Sequence, residues 1–446
     1  MKKNIITLLF ACLVGFSSLA QQNFTLEEAI DFATKNNASI KNALLGIEDA
    51  DQKGKETRAI GLPQISATGS YKHFLAIPIV VYSTYLLEPN APIDQLSPLN
   101  FGTVYNVNAS LNVDQMLFNQ GYFVGLKSVK KFKEVSAFQK VKTIQDVKEN
   151  VTKAYYGVLA AEKTITTINE IVTTSQARYS ETKAMFDKGL AEVNEDDITQ
   201  LHLNGIMSQN ALKSAKRQLK DAKNLLKWQM GMDVSKTLTL SSAFDTVMSR
   251  LNTAQSDVSS DVSQNIDFLL LDKQRELNVL NVKYEQAQYL PSLSAFFSYQ
   301  QNALRNNFNL FDASKPWYPT KVWGLNLSVP IFSGGAKASK VSQAKIQLKQ
   351  SENSLAQLKE SLSIQTQAAK STYDNAFDTY TTSKDAVSIS EKIYTNYQLK
   401  FKEKSISALD LSQTEAQYLA AQNQYIQAMY SLVVAKIELD KITNKL

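Results

Sequence analysis

Glu195, Asp196 and Asp197 stand side by side in the sequence, with Glu192 just before them, and Asp410 occupies a second segment of similar pattern. Carboxylates at that density can attract cations or focus a negative potential on a narrow opening. The phrases around them, FDKGLAEVNEDD (186–197) and FKEKSISALDL (401–411), read as places where one helix ends and another begins. Two readings of these acids stand open. At the start of a helix they favour its dipole and are simply solvated. Repeated by symmetry around a mouth, they would admit cations and resist anions.

Other chemistry is thinly supplied. His73 and His202 lie far apart, and neither belongs to an H-E-x-x-H or similar ligand cluster. Both read as surface or packing residues. Serine follows no Gly-x-Ser-x-Gly pattern. Gly334-Gly335 is not followed by the Gly-Lys-Ser/Thr of a phosphate-binding loop. No enzyme is read here, and no cofactor or metal is expected. Function would lie in a shaped, solvated conduit.

The chain has 446 residues, long enough for a large core or for two halves. MKKNIITLLFACLVGFSSLAQQ reads as a secretory signal peptide over 1–20, with cleavage after Ala20. Cys12 as a lipoprotein cysteine is the alternative, although Phe10 and Ala11 suit that signal poorly. Cleavage would remove the chain's single cysteine, and with it any disulfide or thiolate metal site. Losing Lys2 and Lys3 lowers the net charge from +6 to +4, which with secretion argues against nucleic acid as a partner. No later segment offers the ~18 uninterrupted apolar residues of a membrane helix.

The elements that must position the acids come in two copies. LPQISATGSY (62–71) returns as LPSLSAFFSY (290–299), and both alternate apolar and polar residues with a period of two. Each copy has a companion strand, YNVNASLNVD (105–114) and VWGLNLSV (322–329). The pattern predicts strands near 64–72, 104–114, 292–300 and 322–330, with long connections at 87–100 and 304–320. A soluble β-sandwich alternates in the same way. Uncharged polar faces, aromatics at strand ends (Tyr71, Tyr105, Tyr299, Trp323) and strands of about ten residues favour an outer-membrane barrel. Four strands cannot close such a barrel, and open edges cannot sit in lipid, so the barrel must be shared between chains.

The remainder is helical. A ladder every seven residues reads Ala137, Ile144, Val151, Val158, Ile165, Val172, with Val147, Ala154, Ala161, Ile168 beside it. The second half has Val341, Leu348, Leu355, Leu362, Ala369 and Ala376, then shifts phase to Tyr373, Tyr380, Val387 and Tyr394. Sustained heptads without Pro or Gly mean coiled-coil packing. Leu-Pro at Pro63 and Pro291 marks helix passing to strand. FNQG and FSGG, with Gly121, Gly334 and Gly335, mark strand passing to helix, where glycine permits unusual backbone angles. The domain reading is a first repeat over 21–230, a connecting segment over 231–264 and a second repeat over 265–446.

This order, twice over, resembles the TolC-like outer-membrane efflux proteins of Gram-negative bacteria across essentially the whole mature chain. The resemblance implies a mainly α fold with a small β part. It implies a homotrimer with a shared 12-stranded outer-membrane barrel set in lipid and an α-helical periplasmic tunnel. The partners it implies are a periplasmic adaptor and an inner-membrane transporter, and 231–264 becomes an equatorial belt. It makes Glu195, Asp196, Asp197, Phe401 and Asp410 candidates for the periplasmic entrance. The family's second reversal runs Tyr-x-x-Gly and then Arg before the acidic residue, whereas this chain has Phe401, Lys404 and Ile406. Closure resting on packing is therefore expected in place of those polar links. A periplasmic coiled-coil adaptor without a barrel, and a soluble module binding a ligand between helices, are the other classes weighed.

Overall fold

The computed structural model describes residues 23–189, 194–241, 244, 261–309 and 312–445. The expected signal peptide, Cys12, Glu192 and much of the 231–264 segment lie outside the described residues. In chain order the elements are β1 (Asn23–Phe24), α1 (Leu26–Asn36), α2 (Ala38–Ala59), β2 (Gln64–His73), β3 (Ile79–Ser83), β4 (Leu96–Asn100) and β5 (Tyr105–Phe118). There follow α3 (Gln120–Asp187), α4 (Glu195–Met230), β6 (Thr239–Leu240), α5 (Ile266–Ala287), β7 (Ser292–Arg305), β8 (Tyr318–Ser328), α6 (Ala336–Lys402) and α7 (Ala408–Ile442).

The duplication is visible in the lengths. α2 and α5 each have 22 residues, α3 and α6 have 68 and 67, and α4 and α7 have 36 and 35. The junctions repeat as well. The Leu62 N–H donates to the Ala59 carbonyl at 3.0 Å, and the Leu290 N–H to the Ala287 carbonyl at 3.1 Å. A proline follows each, and its missing N–H ends the helix before a strand begins. The two compact units do not follow the linear repeats. One is built from 1–47, 136–272 and 353–446, the other from 48–135 and 273–352, so both repeats contribute to each.

The second unit holds a four-stranded antiparallel sheet in the order β2-β5-β7-β8. Its register keeps the two alternations in phase. Ala67 pairs with Leu111 and Leu111 with Tyr299, while Ala295 pairs with Leu325, so one face is mainly apolar across all four strands, with Lys321 opposite Tyr299. The other face is mainly a hydrogen-bonded ladder of uncharged polar side chains, with Lys72 and Asp114 towards its two ends. Thr68 and Ser110 share a hydroxyl bond at 2.6 Å, the Asn108 amide donates to Asn302 at 2.7 Å, and the Ser298 hydroxyl donates to Asn112 at 2.7 Å. β8 begins at Tyr318 and so includes Pro319, which the alternation placed in the connection. Pro319 is the second residue of β8, and a strand's start tolerates proline better than its middle. β3 and β4 form a further hairpin inside the first connection.

The first unit has a band of core where Val151, Tyr155 and Val158 of α3 meet Leu226 and Met230 of α4 and Met429 and Leu432 of α7. Each of these side chains is almost wholly buried. Tyr155, too large to bury with its hydroxyl unmatched, donates it to the Phe24 carbonyl at 3.0 Å. That carbonyl belongs to β1, which pairs in parallel with β6. The expected ladders are at least half-buried from Ile144 onward, whereas Ala137 is exposed.

α4 closes on Gly231, whose φ of 71° lies in the left-handed region. A side chain there would also meet the Asn36 carbonyl oxygen at 2.6 Å. Gly334, at φ 58°, has open space around it. Gly231→Ala should therefore lower the thermal midpoint of the helical circular dichroism signal more than Gly334→Ala does. The latter carries only the left-handed penalty of roughly 1–2 kcal/mol.

Candidate functional site

Both helix reversals are built on one local plan. At the first, the Gly189 N–H donates to the Phe186 carbonyl at 2.8 Å, and Gly189 takes φ 70°. At the second, the Lys404 N–H donates to the Phe401 carbonyl at 3.0 Å, and Lys404 takes φ 58°. A left-handed turn of this kind satisfies the carbonyls left over at a helix end. Glycine enters that conformation freely, and lysine does so against its Cβ.

The next helices start with side-chain caps. Asn194 accepts from the Asp197 N–H at 2.7 Å at the head of α4. Ser407 accepts from the Asp410 N–H at 3.2 Å, and the Asp410 carboxylate takes the Ser407 hydroxyl at 2.7 Å and its N–H at 3.2 Å. That reciprocal pair is a capping box. The side-chain and backbone bonds from Ser407 hold the Asp410 carboxyl below the usual carboxylate range.

The expected acids thus divide into two kinds. Asp197 is half-buried and accepts from the Ala408 N–H at 2.9 Å, which ties the start of α4 to the start of α7. Asn204 and Ser412 make a second tie between the same helices. Asp410 is committed to its own cap. Glu195 and Asp196 are exposed, and among the described residues no hydrogen bond or ion pair engages either. Glu192 is not described. Among the described residues no three His, Cys, Asp or Glu side chains gather as a metal ion would need.

Phe401 is half-buried and lines a cleft of about 790 Å³ together with Met185, Leu399 and Ile406. Arg178, Glu181, Asp197, Lys402 and Lys404 complete its wall. The helix–strand prolines and glycines are placed elsewhere. Pro63 and Pro291 precede β2 and β7, and Gly334 and Gly335 take φ values of 58° and 84° before α6. Gly121 departs from the expectation for its type. It sits in the first turn of α3 without positive φ, and a side chain there would meet the Gln288 amide at 2.7 Å. That atom is the far end of a flexible side chain, so neither a backbone angle nor fixed crowding demands glycine there.

One polar cluster was not anticipated. Arg178 of α3 pairs with Glu415 of α7 at 2.8 Å, with side chains only 12% and 7% exposed. Tyr394 of α6 donates to the same carboxylate oxygen at 2.8 Å and accepts from the Arg178 guanidinium at 3.1 Å. Burial works against the Arg178 charge, but the Tyr394 and Glu415 oxygens outweigh it and raise its pKa. Burial and the Glu415 carboxylate push the Tyr394 phenol up. Its ring also stacks on Tyr418 at 5.3 Å. Tyr394 was legible as a rung of the heptad ladder; its partners carried no comparable signal.

Residues 263–445 match the model of the outer membrane efflux protein family. The chain is 22% identical over 344 residues to outer membrane protein TolC of Vibrio cholerae, covering 77% of this chain and 73% of that protein. Its fold is similar to that of the Campylobacter jejuni outer membrane channel CmeC, with a TM-score of 0.72 at 17% identity over 94% of this chain and 85% of that one. CusC, described with its transmembrane channel formation, gives the same TM-score at 15% identity, over 94% and 92% of the two chains.

Glu415→Ala leaves the Arg178 charge buried without its carboxylate, so the helical unit should lose ~3–5 kcal/mol. Tyr394→Phe, which removes one hydrogen bond, should lose roughly 1 kcal/mol. Urea unfolding followed by circular dichroism measures both. Asp410 has a depressed folded pKa. Its contribution is therefore present above the unfolded carboxylate value and is lost as pH falls through the folded one. An acid titration of stability in wild type and Asp410→Asn should differ only in that acidic window.

Proposed function

We propose that this chain, a TolC homologue whose second half is an outer membrane efflux protein domain, works as one third of a shared outer-membrane barrel and periplasmic tunnel. The observation that carries this reading is the sheet. It has one mainly apolar face, one mainly uncharged, hydrogen-bonded face, and two open edges, β2 and β8. In hydrocarbon an open edge leaves backbone groups without partners, so the edges must meet each other. With four antiparallel strands, β8 of one copy runs opposite to β2 of the next, and the ring closes without a parallel pair. Three copies of a four-stranded sheet make the twelve strands expected.

The chain is an outer-membrane export channel with a periplasmic helical part. As a periplasmic scaffold it would present the apolar strand face to water. That face includes Ile65 (69% exposed) and Trp323 (78% exposed) in the single chain. In a barrel the same residues meet lipid, and the Asn, Ser and Thr ladder lines a wet lumen. We place a periplasmic adaptor and an inner-membrane transporter at its periplasmic end. The entrance reading falls on Glu195 and Asp196, the acids left uncommitted, more than on Asp410, whose carboxylate serves its own cap. A ring of three copies focuses a negative potential and favours cations.

Detergent-extracted protein should have the mass of a trimer, and a folded, water-soluble monomer would sink the barrel. Leu111→Arg and Leu325→Arg put charge on the lipid face and should each cost ~2–4 kcal/mol of assembly near the bilayer midplane. Asn108→Arg, on the lumen face, should assemble and alter conductance.

Neutralising Glu195 and Asp196 together should reduce cation preference in single-channel recordings at low salt, and less so at ~1 M, where screening shortens the field to ~3 Å. Unchanged selectivity at both ionic strengths would leave them as solvated helix-end charges.

A further inference from the structure

The polar face of the large sheet has one patch that breaks the repeat. Laid on each other, LPQISATGSY and LPSLSAFFSY put Phe296 where the first repeat has Thr68. SLNVD (110–114) and GLNLS (324–328) likewise set Gly324 against Ser110 and Ser328 against Asp114. In the first repeat Thr68 pairs with Ser110, and their hydroxyls bond at 2.6 Å. In the second, Phe296 pairs with Gly324, and the Phe296 Cε1 and Cζ atoms would lie 2.8 and 2.9 Å from any Cβ on that glycine. A hydroxyl pair has become a ring leaning over a glycine. The missing side chain makes the room.

Asp114 stands on the other side of the ring, because β5 pairs it directly with Phe296. Directly opposed residues of an antiparallel pair have Cβ atoms about 4.5–5.5 Å apart, so carboxylate and ring are neighbours. Asp114 is exposed, and among the described residues no hydrogen bond or ion pair engages it. Its partner on β2, Gln64, spends its amide on the Ala59 and Leu62 carbonyls. Lys72, the basic residue of this face, pairs with Asn106, eight positions along β5 from Asp114 and roughly 26 Å away. The protein itself leaves this carboxylate unneutralised.

We propose that Asp114 and Phe296 form a binding site for organic cations with an apolar body, repeated in each copy around the barrel wall. The proposal rests on the shared-barrel reading, in which this face lines the lumen. The face of an aromatic ring attracts a cation, and quaternary ammonium groups are recognised in this way. Phe296, 37% exposed, also offers apolar surface, and Asp114 supplies the opposite charge beside it. An anion is repelled by the carboxylate, and a neutral ring gains the apolar contact alone. The three departures from the repeat, Asp114, Phe296 and Gly324, fall in one row on three adjacent strands. Where β8 would meet the next copy's β2, the corresponding positions are Ser328 and Thr68, which offer neither charge nor ring. The wall therefore carries one such site per chain, and not one per repeat.

The test uses the protein in lipid discs at low ionic strength, with benzyltrimethylammonium as the probe and saturation-transfer NMR as the readout. Benzenesulfonate, which has the same ring and the opposite charge, controls for partition into lipid. Wild type should transfer saturation to the cation well above empty discs and well above benzenesulfonate. Asp114→Asn should weaken binding of the cation, and so should Phe296→Thr, which restores the first repeat's residue, each by about threefold or more. Asp114→Glu should retain most of it. Native mass is measured for every variant. Equal affinity in wild-type, Asp114→Asn and Phe296→Thr trimers overturns the site and leaves the barrel standing. Equal transfer to the two probes in wild type, a comparison that needs no variant, overturns it as well. A monomeric native mass overturns the barrel reading and this site together.

Discussion

An unpaired strand edge in hydrocarbon costs several kcal/mol for each backbone group that finds no partner. Most of this molecule's design follows from that penalty. In the proposed barrel a sheet of four strands cannot curl on itself, so β2 and β8 would be satisfied by another copy. An even strand number lets that closure remain antiparallel. The register from β2 through β8, shifted only between Met116 and Phe118 at the end of β5, then acquires its reason in that reading: a one-residue slip would carry apolar residues to the lumen face and Asn or Ser to the lipid face.

The helical unit answers a different difficulty. Helices of 68 and 67 residues are long for their content of core, and their wholly buried side chains concentrate in one band around Tyr155 and Met429. Away from that band, Leu201, Ala408 and Leu411 are buried near the helix reversals, and polar ties add to them. Arg178, Tyr394 and Glu415 join three helices at one carboxylate, and Asp197 and Asn204 join two helix starts. A buried ion pair adds little net stability over an apolar replacement, but breaking it by halves is expensive. Such ties therefore favour one arrangement of the helices over its neighbours more than they strengthen the unit as a whole.

The sequence announced what is periodic. Alternation every second residue located all four strands of the large sheet, and heptads located the long helices. Pro63 and Pro291 marked both helix exits because proline acts locally. What escaped depended on contacts distant in sequence. Pro319 lies within a strand because β7 extends far enough to pair Asn302 with Tyr318 and Gln301 with Pro319, which no residue near it reveals. The β3–β4 hairpin is apolar on both faces, so it has no alternation to read. Arg178 and Glu415 look like surface charges until the fold brings them within 2.8 Å. Asp410 was singled out for its charge, and the structure gives that carboxylate first to a cap that the Ser-x-x-Asp spacing already contained.

A ring of copies needs two unlike surfaces, since each chain meets its neighbour head to tail. A duplicated chain supplies them from the start, because β2 is the first strand of one repeat and β8 the second strand of the other. The edge strands come from different repeats, β2 from the first and β8 from the second, so each could diverge without altering the other. The divergence is plain in the connections: one became an apolar hairpin with two acids, the other a shorter segment with one base, one acid and exposed Phe308 and Trp317. The reversals diverged as well, Gly189 holding without cost a left-handed turn that Lys404 holds under strain. Because β8 corresponds to β5 and β2 to β7, the β5–β7 pairing inside one chain is already the pattern for β8 meeting the β2 of the next copy. Duplication itself is therefore what would let the proposed ring close, and the divergence of the connections is laid over it.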